Sequence, residues 1–231
     1  ITTNGTIRLR DFGPSVTYVV SIDGPEDLHD ALRGRGIYAK ARATLAAVPE
    51  GFSSTVQVQC VVTRHNQHRL EELVQDLIGE KVDGMTFSFF CPNKGESSPL
   101  AWSDAAEREE AVDTVLRLKE KYRGFIWNSD RALELMRPAT AGLVTANCPA
   151  LQTVMPLYLE GESLVSPFCC HGNNVDCDRC GGWVVFAHAA KIPGPWDAVL
   201  PPSRPYGALA QYLRQLADPA SRKALAREFT R

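Results

Sequence analysis

Four of the chain's seven cysteines lie close together in the segment CCHGNNVDCDRC, which begins at Cys169 and ends at Cys180. Cys177 and Cys180 form a C-x-x-C pair, Cys170 follows Cys169 upstream, and Cys148 is a more distant candidate. Four thiolates are the usual ligands of a [4Fe-4S] cluster, and the same sulfurs bind zinc tetrahedrally. Spacing does not separate the two metals. The pattern therefore predicts an iron–sulfur site or a zinc site on these five cysteines.

Other interpretations of this segment are less favoured. A C-x-x-C pair also occurs in redox proteins, and His171 could replace one sulfur as a zinc ligand. Structural disulfides are disfavoured because the number of cysteines is odd and no secretory signal is evident, which indicates a reducing cytoplasm. Ordinary buried thiols do not suit a stretch as polar as HGNNVDCDRCGG.

The composition is that of a globular protein with a substantial core. The chain has 231 residues, of which 44% are hydrophobic and 23% charged, with a formal net charge of −2. No apolar run of about 18 residues is present, so no membrane span is expected. The slight acidity offers no basic surface for a phosphate backbone, so nucleic acid is not an expected partner.

The first half of the sequence alternates strand-like and helix-like runs. SVTYVVSID, STVQVQCVVT and DGMTFSFFCP are typical of strands, and amphipathic helical runs follow each of them. In the second strand Val56, Val58 and Cys60 share one face, while Gln57 and Gln59 share the other. Such alternation requires parallel strands joined by helical crossovers, so an α/β fold is predicted.

The helix predicted from about Asp104 to Tyr122 has Asp104 three residues before Glu107, which is a capping-box pattern. After Arg137 the sequence becomes rich in proline, glycine and short apolar runs, which predicts a loop-rich, cysteine-containing extension. We expect three regions: 1–137, 138–192 and 193–231. The last should form helices, since Leu209, Tyr212, Leu213 and Leu216 have amphipathic spacing.

Three short motifs follow one another in the first half: TNGT from Thr3, VSIDGPEDLHDALRGRG from Val20, and VVTRHN from Val61. In this order and spacing they resemble the strand ends of the radical S-adenosylmethionine (radical SAM) superfamily. The resemblance implies a partial (βα)6 TIM-like barrel comprising strands 4–6 and their helices, with TNG closing strand 3. The strand SVTYVVSID would then have an exposed apolar edge.

The resemblance also implies a cofactor site. In parallel α/β barrels the functional loops lie at the carboxyl ends of the strands. Asn4, Ser21, Asp23 and Asn66 fall at such ends and would bind the ribose and amino-acid end of S-adenosylmethionine (SAM). Arg33 would pair with its carboxylate.

The extension resembles the auxiliary-cluster regions called twitch or SPASM, on Cys148, Gly161, and Cys169 or Cys170 after Pro167. An auxiliary [4Fe-4S] cluster is implied. The overall plan is also similar to that of the radical SAM adenosyl-transfer enzymes of hopanoid biosynthesis, which suggests a lipid or terpenoid substrate, with a peptide substrate as the other possibility. An electron donor such as flavodoxin or ferredoxin is the expected redox partner.

One defining feature of that superfamily is missing from the sequence, namely the C-x-x-x-C-x-x-C loop that holds the activating cluster. We therefore expect that this chain is the C-terminal portion of a longer enzyme, or that a partner supplies the N-terminal barrel segment. In either case the chain alone should be inactive. The competing hypothesis is a zinc-stabilised binding or scaffold module without catalytic activity.

Overall fold

The computed structural model describes residues 1–155, 157–165 and 174–200. The helices predicted around Leu209 to Leu216 lie outside these residues. Six strands are described: β1 (Thr2–Thr3), β2 (Thr17–Ser21), β3 (Thr55–Val62), β4 (Gly84–Phe89), β5 (Tyr158–Glu160) and β6 (Ser163–Val165). Eight α-helices are described: α1 (Glu26–Arg33), α2 (Ile37–Ala46), α3 (Leu70–Leu77), α4 (Ala105–Lys121), α5 (Asp130–Leu135), α6 (Pro138–Thr145), α7 (Ala150–Thr153) and α8 (Trp183–Ala189).

Strands β1 to β4 form a parallel sheet in the order β1-β2-β3-β4. Each crossover places the new strand beside the preceding one, so the order never reverses as it does in doubly wound sheets. The predicted α/β class and its three strands are confirmed. The expected exposed edge of β2 is wrong, because Thr2 and Thr3 pair with Val19 and Val20 and make β1 the edge strand.

The two faces of the sheet differ in polarity, as period-two alternation predicts. One face contributes the buried side chains of β2, β3 and β4 to the main hydrophobic core. The opposite face carries Gln57 and Gln59 of β3, which donate hydrogen bonds to Thr86 Oγ1 (2.5 Å) and Ser88 Oγ (3.0 Å) of β4. This second face, which we call the polar face, therefore presents a hydrogen-bonded ladder of side chains.

The free edge of β4 is paired by a short segment that follows α4. Met85 forms a parallel bridge with Ile126. One step further along, the buried amide of Asn128 accepts a hydrogen bond from the Phe87 N–H (2.7 Å) and donates one to the Phe87 carbonyl (2.9 Å). The Asn128 side chain thus continues the hydrogen-bonded ladder where the backbone diverges from β4. No periodic pattern in the sequence predicts this contact.

Helix α4 begins where its capping pattern predicts. The Asp104 carboxylate accepts a hydrogen bond from the Glu107 N–H (2.9 Å), which satisfies one of the first amides of the helix. The Glu107 carboxylate in turn accepts from the Ser103 N–H (3.0 Å), one residue before the cap. These contacts fix the loop that enters α4.

The prediction of a loop-rich extension is wrong in part, because α6, α7 and α8 and a β5-β6 hairpin lie within it. Pro138 is the first residue of α6, where a missing N–H costs nothing. The hairpin turns at Gly161, whose φ of 62° is a left-handed conformation that glycine adopts readily. The hydrophobic core continues across residue 137, and the three predicted region boundaries stay predictions.

None of the helices in the described ranges has the length and apolar composition needed to cross a membrane.

Candidate functional site

The carboxyl ends of the parallel strands gather the polar residues that the sequence singled out. Asn4 follows β1, Ser21 is the last residue of β2, and Asp23 comes two residues later. Asn66 lies in the turn after β3. Because the strands are parallel and adjacent, all four residues lie along one edge of the sheet. We call it the carboxyl edge.

Asp23 connects the ends of β2 and β3. Its side chain is only 2% exposed. Oδ2 accepts a hydrogen bond from Arg33 Nε (2.5 Å), and Oδ1 accepts one from the Val61 N–H (3.0 Å). Both carboxylate oxygens are therefore engaged within the chain, one by an ion pair and one by the neighbouring strand.

Asn66 makes a second connection between the same strands. Its Nδ2 donates to the Asp23 carbonyl (2.7 Å) and to the Val61 carbonyl (2.8 Å), and its Oδ1 accepts from the Thr63 N–H (2.7 Å). The side chain is buried. Asp23 and Asn66 therefore hold the carboxyl edge in shape, which sequence alone did not indicate.

Arg33, Ser21 and Asn4 are more accessible. The Arg33 side chain is 31% exposed, and its Nε is anchored by Asp23 while its two terminal nitrogens have no hydrogen-bond partner in the described part of the chain. Ser21 is half-buried on the polar face of the sheet. Asn4 is exposed, and its Oδ1 accepts a hydrogen bond from the Thr6 N–H (3.1 Å). Among the predicted cofactor residues, these three have side chains that solvent can reach.

His29 belongs to the same edge. It is fully buried, its Nδ1 accepts a hydrogen bond from the Asp23 N–H (3.0 Å), and its ring lies 5.8 Å from that of Tyr38. Burial lowers the pKa of His29, so the ring is neutral with its proton on Nε2. The neighbouring Asp30 carboxylate accepts hydrogen bonds from the Gly36 and Tyr38 N–H groups at the start of α2.

The C-x-x-C pair forms one tight turn. Cys177 begins a 3-10 turn over Cys177–Arg179, and the Cys180 N–H donates to the Cys177 carbonyl (3.1 Å). Cys180 is 3% exposed and Cys177 is exposed. The Gly182 N–H donates to Cys180 Sγ (3.4 Å), a contact that stabilises negative charge on sulfur.

This turn is fastened to the end of β4. The segment from 174 to 181 runs antiparallel to the residues that leave β4, with hydrogen bonds from Asp176 N–H to the Pro92 carbonyl (2.9 Å) and from Phe89 N–H to the Gly181 carbonyl (2.8 Å). A Cβ added to Gly181 would lie 2.4 Å from Phe89 Cβ. Only glycine permits this close approach.

Two residues that sequence reasoning did not include lie against the turn. Cys91, two residues after the end of β4, donates from Sγ to the Asp176 carbonyl (3.4 Å). Arg108 of α4 is 6% exposed and donates to the carbonyls of Cys180 (2.6 Å), Arg179 (3.0 Å) and Met136 (3.0 Å). Its position on the buried side of an otherwise amphipathic helix was the available signal.

The metal-site prediction is not tested by the residues that the structure describes. Within them, no group of three or more histidine, cysteine, aspartate or glutamate side chains could hold a metal ion. Cys169, Cys170 and His171 lie outside the described residues. Cys148 is half-buried between α6 and α7. Cys177 and Cys180 are the two predicted ligands that one turn brings together.

A cavity of about 290 Å³ lies beside the cysteine turn. Its walls come from the residues leaving β4, the loop before α4, the first turns of α4, and the turn itself. Among its lining residues are Phe90, Trp102, Arg108, Asp178 and Arg179. The Trp102 Nε1 donates to Gln67 Oε1 (2.7 Å), which fixes the orientation of the indole.

The comparisons with known proteins show similarity to solved structures alone. No protein-family model matches the chain, and no curated protein matches it. A crystal structure of Streptococcus suis SuiB is 17% identical with a TM-score of 0.44, over 54% of this chain and 30% of that chain. The structure of Streptococcus suis SuiB bound to S-adenosylmethionine is 16% identical with a TM-score of 0.42, over 54% and 31%. The chain thus spans less than a third of the SuiB length, and family membership is not shown.

Proposed function

We propose that this chain is part of a radical SAM enzyme, with a partial (βα)6 barrel and an auxiliary iron–sulfur region. The observation that carries the proposal is the placement of three motifs. TNG, SIDG and VVTRHN close three parallel strands that are adjacent and in sequence order, so their polar residues share the carboxyl edge. Ligand sites of parallel α/β proteins lie at that edge.

The accessible residues of the edge suit the polar end of SAM. Arg33 is held by Asp23 through Nε, so its terminal nitrogens are oriented as a fork for a carboxylate. Ser21 and Asn4 would donate or accept hydrogen bonds at the ribose and the amino group. When bound next to a reduced cluster, SAM supplies a 5′-deoxyadenosyl radical. The chain's contribution is to bind and orient it.

Asp23 and Asn66 act in this proposal as positioning residues. Because their polar atoms are engaged with β3 and Arg33, they keep the strand ends at a fixed separation. The polar face would contact polar groups of the substrate through Gln59 and Ser88, the hydrogen-bonded pair nearer the carboxyl edge. The substrate would be an organic molecule, a lipid or terpenoid or a peptide.

The cysteine turn suits a metal–thiolate site. Cys177 and Cys180 would provide two ligands, and Cys148 with Cys169 or Cys170 the others. The Gly182 N–H directed at Cys180 Sγ is the observation that fits a thiolate ligand. An N-terminal barrel segment or a partner chain would hold the activating cluster, and flavodoxin or ferredoxin would deliver electrons.

A zinc-stabilised module is the second candidate, because the same turn and the same N–H to sulfur contact suit zinc equally well. Anaerobic reconstitution with iron and sulfide, followed by metal analysis, separates the two. About four irons per chain, lost in a Cys177→Ala, Cys180→Ala double variant, would support the auxiliary cluster. One bound zinc and no iron would support the module instead.

SAM binding is tested by equilibrium dialysis with labelled SAM. Arg33→Met should weaken binding at least about tenfold, since a charge-assisted fork to a carboxylate is lost. Arg35→Met is the matched control, because Arg35 is an exposed arginine two residues away. No detectable SAM binding by the wild-type chain, or equal loss in both variants, would contradict the assignment.

A further inference from the structure

Cys91 and Cys177 lie opposite each other where the cysteine turn meets the residues that leave β4. Asn93 forms an antiparallel bridge with Val175. Hydrogen bonds between the neighbouring residues on either side (2.8 and 2.9 Å) make this a non-hydrogen-bonded pair. Two residues earlier on one segment and two residues later on the other, the same register places Cys91 opposite Cys177. Both cysteines are thiols in the structure.

This register brings the two cysteines within the span of a disulfide. Directly opposed residues of a non-hydrogen-bonded pair have Cα atoms about 4.5 Å apart, and disulfides join Cα atoms that are roughly 4.4–6.8 Å apart. Cys91 Sγ also donates to the Asp176 carbonyl (3.4 Å), which belongs to the peptide group that leads into Cys177. The Cys91 sulfur is therefore directed towards the segment that carries Cys177.

The backbone on both sides of the pair is already fixed. The Phe89 N–H donates to the Gly181 carbonyl (2.8 Å) beyond the turn. Within the turn, Arg108 of α4 donates to the carbonyls of Arg179 (3.0 Å) and Cys180 (2.6 Å). Bond formation between the two sulfurs then requires rotation of side chains and little ordering of the backbone. Each thiol therefore acts on the other at a high effective concentration.

Solvent access distinguishes this pair from the C-x-x-C pair. Cys177 is exposed and Cys91 is half-buried, so a dissolved oxidant can reach Cys177 first. Cys180 is 3% exposed, and its Sγ accepts a hydrogen bond from the Gly182 N–H (3.4 Å) two residues later. Access and direction therefore favour Cys91 over Cys180 as the second sulfur.

We propose that Cys91 and Cys177 form a redox-active pair that a small disulfide such as glutathione disulfide oxidises. The Cys177 thiolate attacks one glutathione sulfur, which forms a mixed disulfide and releases one glutathione. The Cys91 thiolate then attacks Cys177 Sγ and releases the second glutathione. The two cysteine thiols lose two electrons and two protons, and glutathione disulfide gains them as two glutathione thiols.

Oxidation would join the cysteine turn to the end of β4 by a covalent bond. It would also withdraw the Cys177 sulfur from metal binding, because metals are bound by the thiolate. This consequence rests on the cysteine site of the proposed function, whereas formation of the disulfide does not. Metal binding at the turn would thus respond to thiol oxidants.

Peptide mapping of the full chain in the presence of a metal chelator tests the pair. The chain is equilibrated with a mixture of glutathione and glutathione disulfide, blocked with N-ethylmaleimide and digested with trypsin. Trypsin releases Cys91 in residues 82–94, where it is the sole cysteine, and cleavage after Arg179 separates Cys177 from Cys180. Residues 82–94 should be recovered joined to the fragment that ends at Arg179. Cys177→Ser should reduce this product at least about tenfold, whereas Cys180→Ser and Cys148→Ser should leave it within about twofold of wild type.

Other outcomes of the mapping would overturn the proposal. Residues 82–94 recovered entirely as N-ethylmaleimide or glutathione adducts would mean that Cys91 forms no disulfide within the chain. A bond from Cys177 to the fragment that begins at Cys180, or a cross-link that persists in Cys177→Ser, would assign a different partner. The wild-type map decides the first two outcomes even if a serine variant fails to fold. Because no metal is present, these results are independent of iron or zinc binding, which the reconstitution experiment tests.

Discussion

Replacing Gly181 with alanine should detach the cysteine turn from the sheet. The new Cβ would lie 2.4 Å from Phe89 Cβ and 2.5 Å from the Phe89 carbonyl oxygen, about 1 Å inside ordinary contact. Backbone cannot move aside as a flexible side chain can. Overpacking of this kind costs about 1–3 kcal/mol, and losing the Phe89 N–H to Gly181 carbonyl hydrogen bond adds about 1 kcal/mol. The expected loss in the free energy of unfolding is about 2–4 kcal/mol.

The adjacent glycine is a matched control. A Cβ on Gly182 would meet Cys180 Sγ at 3.7 Å and Val185 Cγ2 at 3.8 Å, which are ordinary contacts, and its φ of −63° suits alanine. Gly182→Ala should therefore be neutral or stabilising by about 0.4–1 kcal/mol. Urea unfolding followed by tryptophan fluorescence measures both. Equal stability of the two variants would refute the close approach of the turn to β4.

Three further effects follow from the carboxyl edge and the β4 edge. Asn66→Ala should cost about 2–4 kcal/mol of unfolding free energy, because three backbone groups lose their partner. Asn128→Asp should cost about 1–3 kcal/mol, because the Phe87 carbonyl then faces an acceptor; urea unfolding measures both. Burial lowers the pKa of His29 in the folded protein, so as the pH falls the unfolded protein takes up this proton before the folded protein does. The contribution of His29 to the free energy of unfolding is therefore present above pH 6.5 and is lost as the pH falls below it. His29→Gln should flatten the fall in melting temperature below pH 6.5, whereas the exposed His65→Gln should not.

Specific results would contradict these expectations. An Asn66 variant as stable as wild type would mean that the strand ends are held by other contacts. An unchanged free energy of unfolding for Asn128→Asp would mean that the Asn128 amide does not donate a hydrogen bond to β4. Equal pH profiles for the wild-type protein and the His29 variant would place the titrating group elsewhere.

The sheet was largely predictable, because β-branched runs and alternating glutamines determine both the strands and their faces. Gln57 and Gln59 lie on the face opposite Val56 and Val58, as period two requires. The pairing of Ile126 was not predictable, since a single bridge has no periodicity. The helices after residue 137 are not predictable from composition, because Pro138 lies in the first turn of α6, where proline is tolerated and does not break the helix.

The sequence predicted where the candidate site residues lie, but it did not predict their hydrogen-bond partners. Asp23 and Asn66 lie at the carboxyl edge as expected, but their hydrogen bonds go to the backbone of the neighbouring strand, which sequence does not reveal. Cys91 and Arg108 reach the cysteine turn only because a distant segment folds back along the end of β4. Their roles depend on tertiary contacts and have no local pattern.

The closing of the β4 edge also has a consequence for synthesis on the ribosome. The Ser88 hydroxyl accepts a hydrogen bond from the Trp183 N–H, 95 residues later in the chain. At about 5–20 residues per second, the end of β4 waits roughly 5–20 s for this partner to emerge. The bridge at Ile126 arrives well before that. The nascent chain therefore exposes the unpaired edge at the end of β4 during this interval, until the cysteine turn and then Trp183 have emerged.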